Sequence, residues 1–207
     1  MRTKMMRVIL AGALAMLAFG SVLATSASAA PVWKFDGTSL SGEEDILGAA
    51  ISSSMTVPGM TTTCEHFLYN MGIENSGSTG EGEINELPLF ECHTSTEVCT
   101  VEAIEAENLP WPTHLMSVSG KPYLFVEGIQ VSILYGGEEC ALGETEVPVK
   151  GTAGGAIDNE TESATFNSAS FSATGAKLKV GGTSILWNGV FPTEAFEWHR
   201  EESISAE

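Results

Sequence analysis

The segment from Glu91 to Trp111 constrains the fold of this chain more than any other. It reads ECHTSTEVCTVEAIEAENLPW, with two cysteines on either side of a polar turn. After Cys99 the residues alternate between apolar and polar, which is typical of a β-strand with one face in water. The prolines of Leu109-Pro110-Trp111-Pro112 should end this strand, because proline lacks a backbone donor and restricts the preceding residue. The segment predicts a disulfide-closed hairpin that runs into a central strand.

The first 29 residues have the order of a secretory signal peptide. A basic start, MRTKMMR, precedes an apolar run over 8–24, and Ala27-Ser28-Ala29 matches a small-residue cleavage site. The apolar run is short for a membrane span. We therefore predict cleavage after Ala29 or Ala30, and an extracellular or envelope-associated protein with no membrane span after cleavage.

All four cysteines follow this leader, and an even number of cysteines in an exported chain predicts two disulfides. Three pairings of Cys64, Cys92, Cys99 and Cys140 are open. We favour Cys92–Cys99, which closes a short loop across the polar turn. The other bond is then Cys64–Cys140, which joins two distant strands.

Short alternating segments recur along the rest of the chain, separated by turns of Gly, Ser, Asn and Pro. About nine or ten strands are predicted, in the region of 31–36, 61–73, 81–90, 98–104, 115–118, 123–135, 144–150, 164–173, 177–180 and 183–191. No helical period extends over ten residues. This pattern predicts one all-β domain over 30–207, an antiparallel β-sandwich or barrel-like fold.

Four stretches give weaker signals. Residues 37–54 are rich in Gly, Ser and acid, and fit a loop, a weak hairpin or a helical turn, with 30–55 loosely ordered. Gly151–Gly155 should break the strand before it. An odd spacing of Phe166 and Phe171 suggests a bulge in the strand at 164–173. The polar tail, 199–207, should fray.

The charge of the chain excludes some partners. It has 27 acidic and 9 basic residues, a net charge of −18, and loss of the leader with its three basic residues makes this −21. Nucleic acids and anionic membranes are bound through Lys and Arg, so neither is an expected partner. The acidity indicates a well-solvated surface, or a cationic or calcium-rich partner.

Catalytic motifs are weak. No G-x-S-x-G nucleophile motif occurs, and disulfide-bonded cysteines cannot act as thiolates. The four histidines show no H-E-x-x-H and no pairing at i, i+2, so structural or surface roles are expected for His66, His93, His114 and His199.

The many carboxylates of the chain suggest two further kinds of site. A glycosidase would need two close carboxyls, and the pairs to inspect are Glu102 with Glu105 near Trp111, and Glu194 with Glu197 near Trp198. Calcium needs six to eight oxygens, which Asp158, Asn159, Glu160 and Glu162 could supply in part, although the spacing is not that of an EF-hand. Tryptophans of such chains more often fill a core than stack on sugars, as we expect for Trp111 and Trp187.

The order Cys64, Cys92, Cys99, Leu109-Pro110-Trp111 and Cys140, followed by Gly-rich strands, resembles that of small exported proteins of high-GC Gram-positive soil bacteria. The likeness covers roughly 64–191 and implies a bacterial exported β-domain, without implying any functional residue. The chain is therefore predicted to be a secreted, non-enzymatic binding protein with an unknown extracellular or envelope ligand and no cofactor. The alternatives are a secreted carbohydrate-active enzyme with paired Glu residues, and a calcium-dependent adhesion or structural module.

Overall fold

The structure is a computed structural model that describes residues 30–57, 59–192 and 204–206. The predicted leader, Glu194, Glu197, Trp198 and His199 lie outside the described residues. In the described ranges the elements are β1 (Trp33–Phe35), β2 (Thr38–Ser39), β3 (Glu44–Val57), β4 (Met60–Ser76), β5 (Thr79–Glu86), β6 (Leu89–Thr94), β7 (Thr100–Ala106), β8 (Trp111–Val118), β9 (Lys121–Gly136), β10 (Thr145–Asp158), β11 (Ser163–Phe166), α1 (Ser168–Thr174), β12 (Leu178–Val180), β13 (Thr183–Pro192) and β14 (Ile204–Ala206).

Strand pairing makes one large antiparallel sheet that closes on itself. Neighbours follow the chain through β3, β4, β5, β8, β9 and β10, and then β10 pairs with both β11 and β12. These two short strands pair with β13, and β13 returns to β3. The predicted all-β, antiparallel fold is confirmed. Closure leaves few free edges, which is how such sheets avoid edge-to-edge association.

The closed sheet is split along part of its length. Strand β6 continues from β5 and pairs with β4, while β7 precedes β8 and pairs with β9. Among the described residues β6 and β7 have no ladder between them. The break between β7 and β8 contains Leu109-Pro110, as the sequence predicts, but Trp111 and Pro112 open β8 and do not belong to the stop.

Apolar side chains at alternate positions of the strands fill the interior of the closed sheet. In β9 the inward positions Ile129, Val131, Ile133 and Tyr135 are all buried, as their period of two predicts. Full burial of each such side chain contributes about 1.5–3 kcal/mol. Trp111 and Trp187 are core residues, 1% and 3% exposed, as expected. Two interior cavities have volumes of only about 20 and 10 Å³, so the space inside these strands is filled.

Trp33 fills one end of the closed sheet and is held there by Asn75. The Trp33 N–H donates to Asn75 Oδ1 at 2.8 Å, and Asn75 Nδ2 donates to Trp33 O at 2.9 Å and Leu40 O at 3.1 Å. The indole Nε1 of Trp33 donates to the carbonyl of Glu81 at 3.0 Å. Strand β1 also pairs with β14, so the segment 204–206 of the tail predicted to fray is part of a sheet.

The stretch 37–54, whose sequence gave only a weak indication of structure, contains most of a long strand, β3. Its pattern escapes detection because small residues take several of its positions. Gly48 lies opposite Tyr69, and a Cβ there would come within 2.1 Å of the Tyr69 ring. Only glycine leaves room for that ring, and Ala49, Ala50 and Ser53 take further positions where β-branched residues would mark a strand in a sequence.

Two predictions about the second half of the chain are wrong. The run Gly151–Gly155 does not break a strand, because β10 continues through it to Asp158 with one register shift. The predicted strand over 164–173 ends at Phe166, and its second half is the short helix α1. Asn167 caps this helix by accepting hydrogen bonds from the backbone N–H groups of Ala169 and Ser170.

The two predicted disulfides are present, but the predicted pairing is wrong. The bonds are Cys64–Cys92 and Cys99–Cys140, and not Cys92–Cys99 with Cys64–Cys140. Cys64 and Cys92 are opposed in the ladder of β4 and β6, with their Cα atoms 3.9 Å apart. The hairpin expected between Cys92 and Cys99 does not form, because the strand after Cys99 pairs with β9.

Candidate functional site

A groove of about 530 Å³ crosses the outer face of the closed sheet. We call it the acidic groove, and it is lined by Glu43, Gly72, Ile73, Glu74, Thr79, Glu81, Gly82, Glu83, Pro112, Thr113, His114 and Glu127. Five of these residues are glutamates, and neither lysine nor arginine is among them. The groove therefore concentrates negative charge in a concave surface.

The register of β4, β5 and β8 brings these carboxylates together. Glu74 lies opposite Glu81, and Glu81 lies opposite His114 on the next strand. In a second row across the same three strands, Gly72 lies opposite Glu83, and Glu83 lies opposite Pro112. Each row crosses the strands at right angles, so charges far apart in the sequence come side by side.

Two glycines keep the backbones of β4 and β5 close together beneath the groove. A Cβ at Gly82 would lie 2.2 Å from the carbonyl oxygen of Gly72, so a larger residue at 82 would push β4 and β5 apart. A Cβ at Gly72 would lie 3.5 Å from Glu43 Oε1 and 3.8 Å from Asp45 Oδ1. The carboxylates thus stand around a floor of backbone.

The electrostatics of the groove favour a bound cation. Like charges that face each other on adjacent strands are destabilising, as for the pair Glu74 and Glu81. The imidazole of His114 lies beside these carboxylates, with Nδ1 3.6 Å from Glu127 Oε1. Thr113 also lines the groove, and its buried hydroxyl has no hydrogen-bond partner among the described residues. A concave surface of one sign of charge raises the local concentration of oppositely charged ligands.

A second cluster lies further along β4, where Glu65, His66 and Glu91 come together. One ligand atom of each residue lies within 4.8 Å of the others, and His66 Nε2 is 3.5 Å from Glu91 Oε2. All three side chains are exposed. This is the one group of three convergent metal-ligating side chains in the part of the chain that the structure describes.

The carboxylate pairs proposed from the sequence do not make this kind of site. Glu102 and Glu105 are exposed on β7, whereas Trp111 is buried and donates its indole N–H to Glu107 O at 2.8 Å. The pair Glu194 and Glu197 lies outside the described residues. None of the three tryptophans in the described residues lines the acidic groove.

The turn proposed for calcium is closed by its own backbone. Asp158 Oδ1 accepts a hydrogen bond from the N–H of Glu160 at 2.9 Å, and this bond is the main cause of the lowered pKa of Asp158. The side chains of Asp158, Glu160 and Glu162 do not form a convergent ligand group. Calcium binding at this turn stays a prediction from the sequence.

No protein-family model, curated protein or solved structure matches this chain. No helix in the described residues is long and apolar enough to cross a membrane.

Proposed function

We propose that this protein is an exported, disulfide-stabilised binding protein without catalytic activity, and that the acidic groove binds a cationic ligand. The observation that carries the proposal is the convergence of five glutamates in one groove without a lysine or arginine in its lining. Two disulfides are consistent with an extracellular location, since such bonds persist in oxidising compartments.

The dimensions of the groove favour an extended ligand over a single ion. The groove reaches across β4, β5, β8 and β9, and adjacent strands lie about 4.8 Å apart, so it spans roughly 14 Å. A single calcium ion takes oxygens at about 2.3–2.6 Å and would occupy only a small part of this space. A polyamine or a lysine-rich peptide, with positive charges spaced along its length, matches the rows of carboxylates.

Two features support binding over hydrolysis. The carboxyl group that acts as general acid in a glycosidase commonly lies against apolar surface, whereas the side chains of Glu74, Glu81 and Glu127 are exposed. The three tryptophans of the described residues are buried, and therefore offer no stacking surface to a sugar. The carbohydrate-active enzyme and the calcium-dependent module stay as alternatives.

The test is calorimetric titration of the mature protein with spermine and with tetralysine. The double variant Glu74→Gln/Glu81→Gln should weaken binding by about tenfold, because each exposed ion contact contributes on the order of 0.7 kcal/mol. Added salt should weaken binding to the parent protein as well, because exposed charges are screened.

The matched control is Glu138→Gln/Glu139→Gln, which removes the same charge from exposed positions after β9 that do not line the groove. This control should bind within about twofold of the parent, since screening limits the influence of distant charges. Equal losses in the two variants would show that binding depends on net charge alone and would refute a specific groove. Absence of heat with either ligand would refute the ligand class.

A further inference from the structure

We propose that Glu65, His66 and Glu91 form a binding site for a divalent first-row transition metal such as Zn²⁺. The site is separate from the acidic groove. Glu74 of the groove lies eight residues beyond His66 on β4, which at about 3.3 Å per residue places the two roughly 26 Å apart along the strand.

The geometry brings three donor atoms close to coordination distance. Zn²⁺ binds imidazole nitrogen and carboxylate oxygen at about 2.0–2.2 Å, so two ligand atoms of one ion lie no more than roughly 4.4 Å apart. The three donor atoms already lie within 4.8 Å of one another, and the His66–Glu91 pair is at 3.5 Å. Because all three side chains are exposed, small rotations about their bonds bring them to one ion.

The types of donor select the class of metal. Imidazole is a frequent ligand of zinc, copper, iron and nickel, whereas calcium and magnesium prefer oxygen alone. Two carboxylates complete three protein ligands and leave further positions to water, the arrangement of open zinc sites. Without a cation, the carboxylates of Glu65 and Glu91 repel one another, and neither has a lysine or arginine as an ion partner in the described residues.

The disulfide next to the cluster holds its two strands in place. Cys64 precedes Glu65 on β4, and Cys92 follows Glu91 on β6. On the other side, His66 is opposite Phe90 in the ladder. A covalent bond and a backbone pair therefore flank the cluster, so its ligands are brought together before a metal binds, and less freedom is lost on binding.

The test is competition of the mature protein with a chromophoric chelator for Zn²⁺, with Co²⁺ absorption as a second readout of the coordination shell. One equivalent of Zn²⁺ should bind, and a thermal scan should show the melting temperature rising with Zn²⁺ concentration. His66→Ala and Glu91→Gln should each weaken affinity by at least about tenfold, since even outer-shell partners of a metal commonly contribute that much.

His93→Ala is the matched control, because His93 is also an exposed histidine on β6 but belongs neither to the cluster nor to the lining of the acidic groove. It should retain the affinity and the Co²⁺ spectrum of the parent. Zn²⁺ binding that is unchanged in His66→Ala, or lost equally in His93→Ala, would overturn the proposal. These results leave the spermine titration untouched, so failure of this site and failure of the groove can be distinguished.

Discussion

Tyr135 shows how a single polar group is accommodated in the interior. Its hydroxyl lies 2.6 Å from Thr62 Oγ1, and both residues are buried, Tyr135 completely. Burial raises the pKa of Tyr135 above its ordinary value of 10.0, and the bond to Thr62 offsets part of that rise. Burial also raises the pKa of Tyr69 well above its ordinary value. Both phenols are therefore neutral in the folded protein at pH values at which the unfolded chain begins to ionise.

The variant Tyr135→Phe should lose about 1–2 kcal/mol of unfolding free energy at pH 7, because the buried Thr62 hydroxyl loses its partner. Above pH 10 the unfolded parent releases the Tyr135 proton and the folded parent retains it, so parental stability falls as pH rises. Each pH unit removes at most about 1.4 kcal/mol through this residue, and the variant lacks the effect. The gap between the two proteins should therefore narrow in urea unfolding at pH 10.5 and above.

Tyr123→Phe is the control for this prediction, since Tyr123 is only partly buried. This variant should change the unfolding free energy at pH 7 by no more than about 0.5 kcal/mol. A gap between parent and Tyr135→Phe that stays constant from pH 7 to 11 would contradict the argument.

The cysteines illustrate how one pairing decides what else can be predicted from the sequence. Their participation in disulfides followed from export and an even count, but proximity along the chain was a poor guide to the partners. With Cys64 opposite Cys92, the antiparallel register brackets Glu65 and Glu91 between two known pairs. The pairing of Cys64 with Cys92 would therefore have been sufficient to predict from the sequence that Glu65 and Glu91 lie close together.

Among the elements, strands with apolar side chains at every inward position were predictable, and strands with small residues there were not. The alternation in β9 and in the second half of β4 was sufficient for a correct assignment. Strand β3 and the end of β10 instead contain glycines that make room for a partner's side chain. The acidic groove was beyond sequence reasoning, because it depends on the register of strands that are far apart in the sequence.

The contact between β10 and α1 gives a prediction at this scale. A Cβ at Gly154 would lie 2.0 Å from Thr174 Oγ1 and 2.8 Å from its Cβ. Gly154→Ala should therefore lower the unfolding free energy by about 1–3 kcal/mol through overpacking, measured by chemical denaturation. Thr174→Ala removes part of the obstruction, so the double variant should be less destabilised than the sum of the two single changes. Strict additivity would show that the helix does not press on this strand.

At the scale of the whole molecule, the disulfides compensate for the unpaired stretch of the sheet. The bond Cys64–Cys92 joins β6 to β4, and Cys99–Cys140 joins the start of β7 to the connection between β9 and β10. With sequence separations of 28 and 41, chain entropy assigns them about 3.6 and 3.9 kcal/mol. The two strands beside the split, β6 and β7, are therefore each attached by a disulfide to a part of the sheet away from the split.

Loss of either bond should lower the melting temperature by about 7–15 °C in differential scanning calorimetry. The double variants Cys64→Ser/Cys92→Ser and Cys99→Ser/Cys140→Ser should each leave the remaining pair oxidised, with no free thiol by titration. Cys92→Ser/Cys99→Ser removes one member of each bond and should expose two thiols. Thiols in the first two variants, or none in the third, would contradict this pairing.

The stretch where β6 and β7 stay unpaired is a line of weakness in the sheet, and each disulfide anchors one of these strands to its neighbour on the far side. Mechanical force or heat should separate the strands there first, since no ladder pairs β6 with β7 in the described residues. Under reducing conditions both anchors are lost, and water should then reach the filled interior between β6 and β7. The resistance of the protein to unfolding therefore depends on the redox state of its surroundings. A protease that attacks the reduced form should cut first near Ser95–Val98, the loop that connects β6 to β7.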